Sequence, residues 1–200
     1  MKKIQIFALV ALAALVAVSC SKSKSSDEPV SDAPVCKTLE LHVDWELSKD
    51  ITDNFNVVLA TTDFNGNAVS DTLRGIKGSS TFTKEDANID NKEDNWPFTL
   101  RMDVAEAEGA VTTRNDYSAA FKVHIYAVFK DAAGKELYTG SKDSPTKDTI
   151  REKDYSDAFN DFEKLKKYLE KNLKVEEETY VFFRGQSVAS GEYFFAHSTK

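Results

Sequence analysis

The sequence predicts a mainly β or α+β fold, an antiparallel β-sandwich carrying one amphipathic helix. Apolar and polar residues alternate at period two in several separate segments, the pattern of a strand with one face buried and one wet. A single stretch in the last third has helical spacing instead. All the aromatic residues except Phe7 (the chain has 2 Trp, 7 Tyr and 13 Phe) lie beyond the apolar N-terminus, more than a disordered segment keeps.

The first strand is the clearest. Leu39, Leu41, Val43, Trp45 and Leu47 alternate with Thr38, Glu40, His42, Asp44 and Glu46. Phe55 to Thr62 makes a second strand, ended by the turn residues Asn65-Gly66-Asn67. Phe98, Leu100, Met102 and Val104 repeat the alternation after Pro97. Phe121, Val123, Ile125, Ala127 and Phe129 repeat it again. Asp131-Ala132-Ala133-Gly134 then offers a turn, with Leu137 and Tyr138 on a returning strand.

Tyr155, Phe159, Phe162, Leu165 and Leu169, with Ala158 beside them, predict a helix over residues 155–171. Asp154 is its expected N-cap, Asn172 lies near its end, and Glu163 and Lys167 form an i,i+4 pair. Strands over Thr179 to Arg184 and Glu192 to His197 follow. The adjacent pairs Phe182-Phe183 and Phe194-Phe195 place a ring on each face of their strands, so both faces need cover. The expectation is that the helix lies across an outer face of the sandwich and supplies it.

The N-terminus is an address. Lys2 and Lys3 precede an apolar run, uninterrupted from Ile6 to Val18, that is too short to span a bilayer and fits a secretory signal. Removing residues 1–19 takes the net charge from −7 to −9. Ala17-Val18-Ser19-Cys20 resembles the lipobox of bacterial lipoproteins, with Ala17 in place of the favoured Leu. The resemblance implies cleavage before Cys20, acyl chains on that residue and a place in the cell envelope, anchored to the outer membrane. Two or more chains make such anchoring stable. Residues 20–36 then read as the lipidated Cys and a Ser-rich polar tether, and residues 37–200 as one sandwich domain. Lys24-Ser25-Ser26-Asp27-Glu28 is similar to the short acidic stretch behind the lipidated Cys of surface lipoproteins, which implies display on the outer leaflet. Val43-Asp44-Trp45 is similar to the opening strand of prealbumin-like domains in fimbria-associated lipoproteins, and the sandwich is expected to be immunoglobulin-like or prealbumin-like. With Cys20 acylated, Cys36 has no disulfide partner within the chain and reads as a small hydrophobe.

Little in the chain points to chemistry. The sequence contains no His-Glu-x-x-His, Cys-x-x-Cys or Gly-x-Ser-x-Gly motif, and no Gly-rich phosphate loop. His42, His124 and His197 are far apart, and His42 and His124 fall on the polar phase of their strands, facing solvent. Asp86, Asn88 and Asp90 match positions 1, 3 and 5 of a calcium loop. Position 6 is Asn91 and position 12 is Pro97, so a solvated acidic loop is the preferred reading and no cofactor is expected. The lysines near the helix are interleaved with Glu163 and Glu170, and a chain of −9 lacks the uncompensated basic surface that nucleic acid needs. Trp96, Tyr117, Tyr138 and Tyr193 lie near loops, where rings can stack on sugars. The expected function is a lipid-anchored, non-catalytic binding or assembly module. Its partners are membrane lipid through Cys20 and a glycan or an envelope protein. Two alternatives stand beside it, an envelope hydrolase working through carboxylates and a structural accessory of surface fibres or a transport complex.

Overall fold

The computed structural model describes residues 33–89 and 97–200. They form two antiparallel sheets. The strands are β1 (Thr38–Leu47), β2 (Phe55–Thr62), β3 (Ala68–Thr72), β4 (Lys77–Lys84), β5 (Phe98–Glu106), β6 (Tyr117–Lys130), β7 (Asp148–Phe159), β8 (Val175–Gln186) and β9 (Tyr193–Thr199). The helices are α1 (Lys49–Asn54), between β1 and β2, and α2 (Phe162–Asn172), between β7 and β8. One sheet has the order β4-β1-β6-β7 and the other β3-β2-β5-β8-β9. Among the described residues, no helix is long and apolar enough to cross a membrane.

Alternation sets the register. Leu39, Leu41, Val43 and Leu47 of β1 are buried, and so are Phe98, Leu100 and Met102 of β5 in the other sheet. A slip of one residue would turn that whole set to solvent, so burial of one face specifies the pairing. Phe129 of β6 packs against Phe182 of β8 and Phe195 of β9, with ring centroids 6.1 and 5.4 Å apart, joining the two sheets. The core is continuous from Cys36 to Phe195.

The helical segment differs from expectation. Tyr155 and Phe159 belong to β7, where they pair with Phe121 and Tyr117 of β6, and the helix begins only at Phe162. Residues four apart share a face in a strand as well as in a helix, so the Tyr155–Phe159 spacing fits both periods. The N-cap is Asp161, whose side chain accepts the Lys164 amide at 3.0 Å. Nor does α2 lie on an outer face. It rests against β5, β6 and β7, and Phe162, Leu165 and Leu169 enter the core. Phe162 stacks on Phe55 at 5.3 Å and meets Tyr117 edge-on at 5.8 Å. The helix therefore closes the end of the sandwich where β2 and β6 begin. Cover for Phe194 comes from its cross-strand neighbour Gly185 and from Gly140 in the loop after β6.

The strand expected at Leu137 and Tyr138 is reduced to one bridge, Lys130 to Glu136. The strand that returns along β6, on the side away from β1, is β7, with a register shift between Ile125 and Tyr126. Its inward positions opposite Ile125 and Val123 are Arg151 and Lys153. They face the open flank between the sheets, where Arg151 pairs with Glu178 of β8 and Lys153 donates to the carbonyls of Asn172 and Lys174.

Candidate functional site

The strands fix two ends. Thr38 pairs with Lys130 and Leu47 with Phe121, so the chain enters the sandwich at one end and α1 begins at the other, about 30 Å away at roughly 3.3 Å per residue. That far end carries a built polar cleft. Asn54, only 1% exposed, donates to the Asp50 carbonyl at 2.7 Å and accepts the Val111 amide at 2.8 Å. The Ala107 amide reaches the Asn54 carbonyl at 2.9 Å. The Asp50 carboxylate accepts the Ser118 amide at 2.7 Å and Arg114 Nη1 at 2.6 Å. The Tyr117 hydroxyl donates to the Val111 carbonyl and accepts the Arg114 amide. Arg114 Nε bonds Asp116 at 3.1 Å, and the guanidinium lies over the Tyr117 ring at 5.1 Å. The hydrogen bonds that Arg114 donates to Asp50 and Asp116 hold it more firmly protonated than usual.

These contacts do what a hydrophobic anchor does elsewhere. The loop between β5 and β6 has Val111 exposed, yet it is tied to α1 and β6 through buried or half-buried polar groups. Beside it opens a shallow cleft of about 650 Å³ whose wall includes Asn115, Asp116, Phe159 and Asn160. Its volume falls within the ~300–1,000 Å³ of small-molecule sites, and its lining residues are mostly polar types whose stems and rings supply much of the wall.

A second cluster lies on the outer face of the four-stranded sheet. Tyr126 is stacked with His42 at 4.9 Å and meets His124 at 4.6 Å, with the Lys147 ammonium 4.5 Å from its centroid. His42 Nε2 contacts Glu40 at 3.1 Å, and Thr81 contacts its Nδ1 at 3.2 Å. Glu40 also pairs with Lys130 at 2.5 Å. Burial by itself would raise the Glu40 carboxyl, but Lys130 and His42 outweigh it and hold it below the usual range. Burial, together with the hydrogen-bonded Asp44 carboxylate, raises the Tyr126 hydroxyl. Tyr126 is 7% exposed and both nitrogens of His42 are engaged, so this group braces the sheet and leaves no open ring.

The residues singled out from sequence are distributed as follows. Cys20 and Asp90 lie outside the described residues, as does Trp96. Asp86 and Asn88 sit in a tight turn with φ of 50° and 48°. The Lys37 ammonium bonds the Asn88 side-chain oxygen, so a cation of the protein itself engages one of the three expected calcium ligands. Among the described residues, no three His, Cys, Asp or Glu side chains are grouped to hold a metal. His42 and His124 are on the outer face as expected, and the structure brings them together at Tyr126. His197 stands apart, paired with Asp148 of the opposite sheet at 2.8 Å. Cys36 is fully buried with its thiol donating to the Thr38 carbonyl, and burial pushes that thiol up to about 12. Tyr117 is 2% exposed and its ring is covered by Arg114, whereas Tyr193 is half-buried beneath Arg184.

The Asp50–Arg114–Asp116 arrangement escaped sequence reasoning. Arg114 and Asp116 are two positions apart, but Asp50 is 64 positions from Arg114, and only the closure of α1 onto the start of β6 brings it to them. The one sequence-level hint was Asp50 in the first turn behind Ser48. Fold and site together define a β-sandwich module with a preorganised polar cleft at the end remote from chain entry. Comparison with protein-family models, with curated proteins and with solved structures finds no match for the chain.

Proposed function

We propose that the chain is an exported, lipid-anchored module of a bacterial cell envelope that binds a partner through its sandwich domain and catalyses nothing. The observation that carries the reading is the succession Lys2-Lys3, the apolar run to Val18 and Ala17-Val18-Ser19-Cys20. It is supported by where the sandwich starts, since the buried core begins at Cys36, after a Ser-rich polar segment suited to a tether. A domain held by its entry end has its far end, with the Arg114 cleft, free for a partner.

Detergent phase partitioning of the chain expressed in a Gram-negative host tests the anchor. Wild type is expected in the detergent phase, carrying label from a fatty-acid precursor. Cys20→Ala is expected in the aqueous phase without label. Wild type in the aqueous phase, or label retained by Cys20→Ala, overturns the reading.

A further inference from the structure

We infer that the cleft at the far end is a binding site for a neutral saccharide, gripped between Arg114, Asn115, Asp116 and Asn160 and resting on Phe159. The inference deepens the proposed binding role and rests on it only for biological context, because the site's chemistry is independent of the anchor.

The charge balance selects a neutral ligand. The Arg114 guanidinium is matched by two carboxylates, Asp50 at 2.6 Å and Asp116 at 3.1 Å. An anion arriving here meets an Arg114 that is already paired and has Asp116, largely exposed, in its path, while the Lys164 ammonium, bonded to the Asn160 side-chain oxygen, brings the two cations and two carboxylates around the cleft into balance. A neutral polyol meets what its hydroxyls need. The second oxygen of Asp116 accepts, while the Asn115 and Asn160 amides donate, together with the two guanidinium hydrogens left after Nε and Nη1 bond the Asp116 and Asp50 carboxylates and Nη2 bonds the Asp116 carbonyl. Among the described residues Asn160 is engaged only through its oxygen, by Lys164 at 3.1 Å, so its NH2 group is left to donate.

The shape agrees. The cleft is open, its wall combines polar groups with apolar surface, and a partly buried Phe159 ring lies on it, backed by Tyr168 at 4.9 Å. A pyranose has one apolar C–H face and a rim of hydroxyls, so ring and rim are both served. Preorganisation adds to this. Asn54, Asp50 and Tyr117 already hold the loop that carries Arg114 and Asn115, so a ligand does not have to order it.

Saturation-transfer NMR on the detergent-solubilised full-length chain tests the site. The probes are a set of neutral oligosaccharides, a set of uronic-acid oligosaccharides and a Lys-rich peptide. A neutral oligosaccharide is expected to bind. Asn115→Ala and Asn160→Ala, which hold none of the loop's backbone, are each expected to weaken it at least tenfold. Arg114→Lys keeps the charge and loses the planar fork, and the same direction is expected. His124→Ala, on the outer face of the sheet, is expected to leave binding unchanged. Absence of neutral-saccharide binding at millimolar concentration overturns the inference. So does binding that survives both Asn substitutions, or a preference for the acidic oligosaccharides or the peptide. None of these outcomes bears on phase partitioning, so failure of the cleft and failure of the anchor are read separately.

Discussion

Gly78 of β4 lies directly beneath the indole of Trp45, its cross-strand partner on β1. A Cβ built on Gly78 would stand 2.3 Å from Trp45 Cζ2 and 2.7 Å from Cε2. The second sheet repeats the device, with Gly185 of β8 beneath Phe194 of β9 and a built Cβ 2.4 Å from the ring. In both places an aromatic ring covers a glycine that gives its strand no packing of its own.

This arrangement predicts the sign of a substitution. Replacing glycine by alanine in a strand ordinarily stabilises by about 0.5–1 kcal/mol. At Gly78 the methyl group must displace the Trp45 ring, so Gly78→Ala is expected to destabilise by about 1–3 kcal/mol, the usual cost of overpacking. Gly185→Ala is expected to act in the same direction. Urea unfolding midpoints decide it, and an unchanged or raised midpoint for Gly78→Ala would show that the ring yields freely.

Cys36 is expected to be chemically silent. Its thiol is fully buried and pushed from an ordinary 9.0 up to about 12, so little thiolate exists at neutral pH and the reagent has no path to it. Iodoacetamide at pH 8 is expected to spare Cys36 in the native protein and to label it in urea, as read by peptide mass. The folded state holds this proton more tightly than the unfolded chain. The contribution is therefore complete below pH 9 and is lost as pH rises toward 12, by about 1.4 kcal/mol per unit. Cys36→Ala, which cannot titrate, is expected to lose that part of the alkaline slope.

Sequence legibility followed burial. β1 and β2 were readable to the residue, because each has one face in the core and one in water, and period two is then visible. β4 was not, since Lys77–Lys84 is a sheet edge of Ser, Thr and Lys with Phe82 as its one large apolar residue. β7 hid for a different reason. Its inward positions face an open flank, so Arg151, Lys153 and Asp157 occupy places that apolar residues take in a covered strand. Tyr155 and Phe159 were left to suggest a helix. The far-end cleft was hidden because its members are joined by register and by the fold of α1, which no local pattern encodes. His42 and His124 share that limitation, since their meeting at Tyr126 depends on how β1 and β6 are paired.

The boundary of α2 can be tested directly. Asp161, not Asp154, accepts the amide of the helix's first turn, and Asp154 instead pairs with Lys122 across the strands at 3.2 Å. Asp161→Ala is expected to cost about 0.5–2 kcal/mol, the usual worth of an N-cap. Asp161→Asn is expected to cost little. Asp154→Ala removes an exposed pair and is expected to cost at most about 0.5 kcal/mol. Comparable losses at the two positions would place the start of the helix upstream, inside β7.

The flank between the sheets supplies the last expectation. Glu178 of β8 accepts from Arg151 of β7 and from the Tyr180 hydroxyl, while Arg151 Nε is buried with no partner among the described residues. Burial alone would raise the Glu178 carboxyl, but Tyr180 and Arg151 together outweigh it and hold it below its usual 4.5. Glu178→Gln keeps the shape and leaves the guanidinium uncompensated, so a loss of about 1–3 kcal/mol is expected at pH 7. Because the folded carboxyl is the stronger acid, its contribution is present above the ordinary value and disappears as pH falls below it. Wild type and Glu178→Gln should therefore converge in stability as pH is lowered from 7 toward 3. Arg151→Met combined with Glu178→Gln removes both charges and is expected to recover part of the loss, since no buried guanidinium is then left uncompensated. Purely additive losses in that double variant would mean that the two side chains touch without coupling.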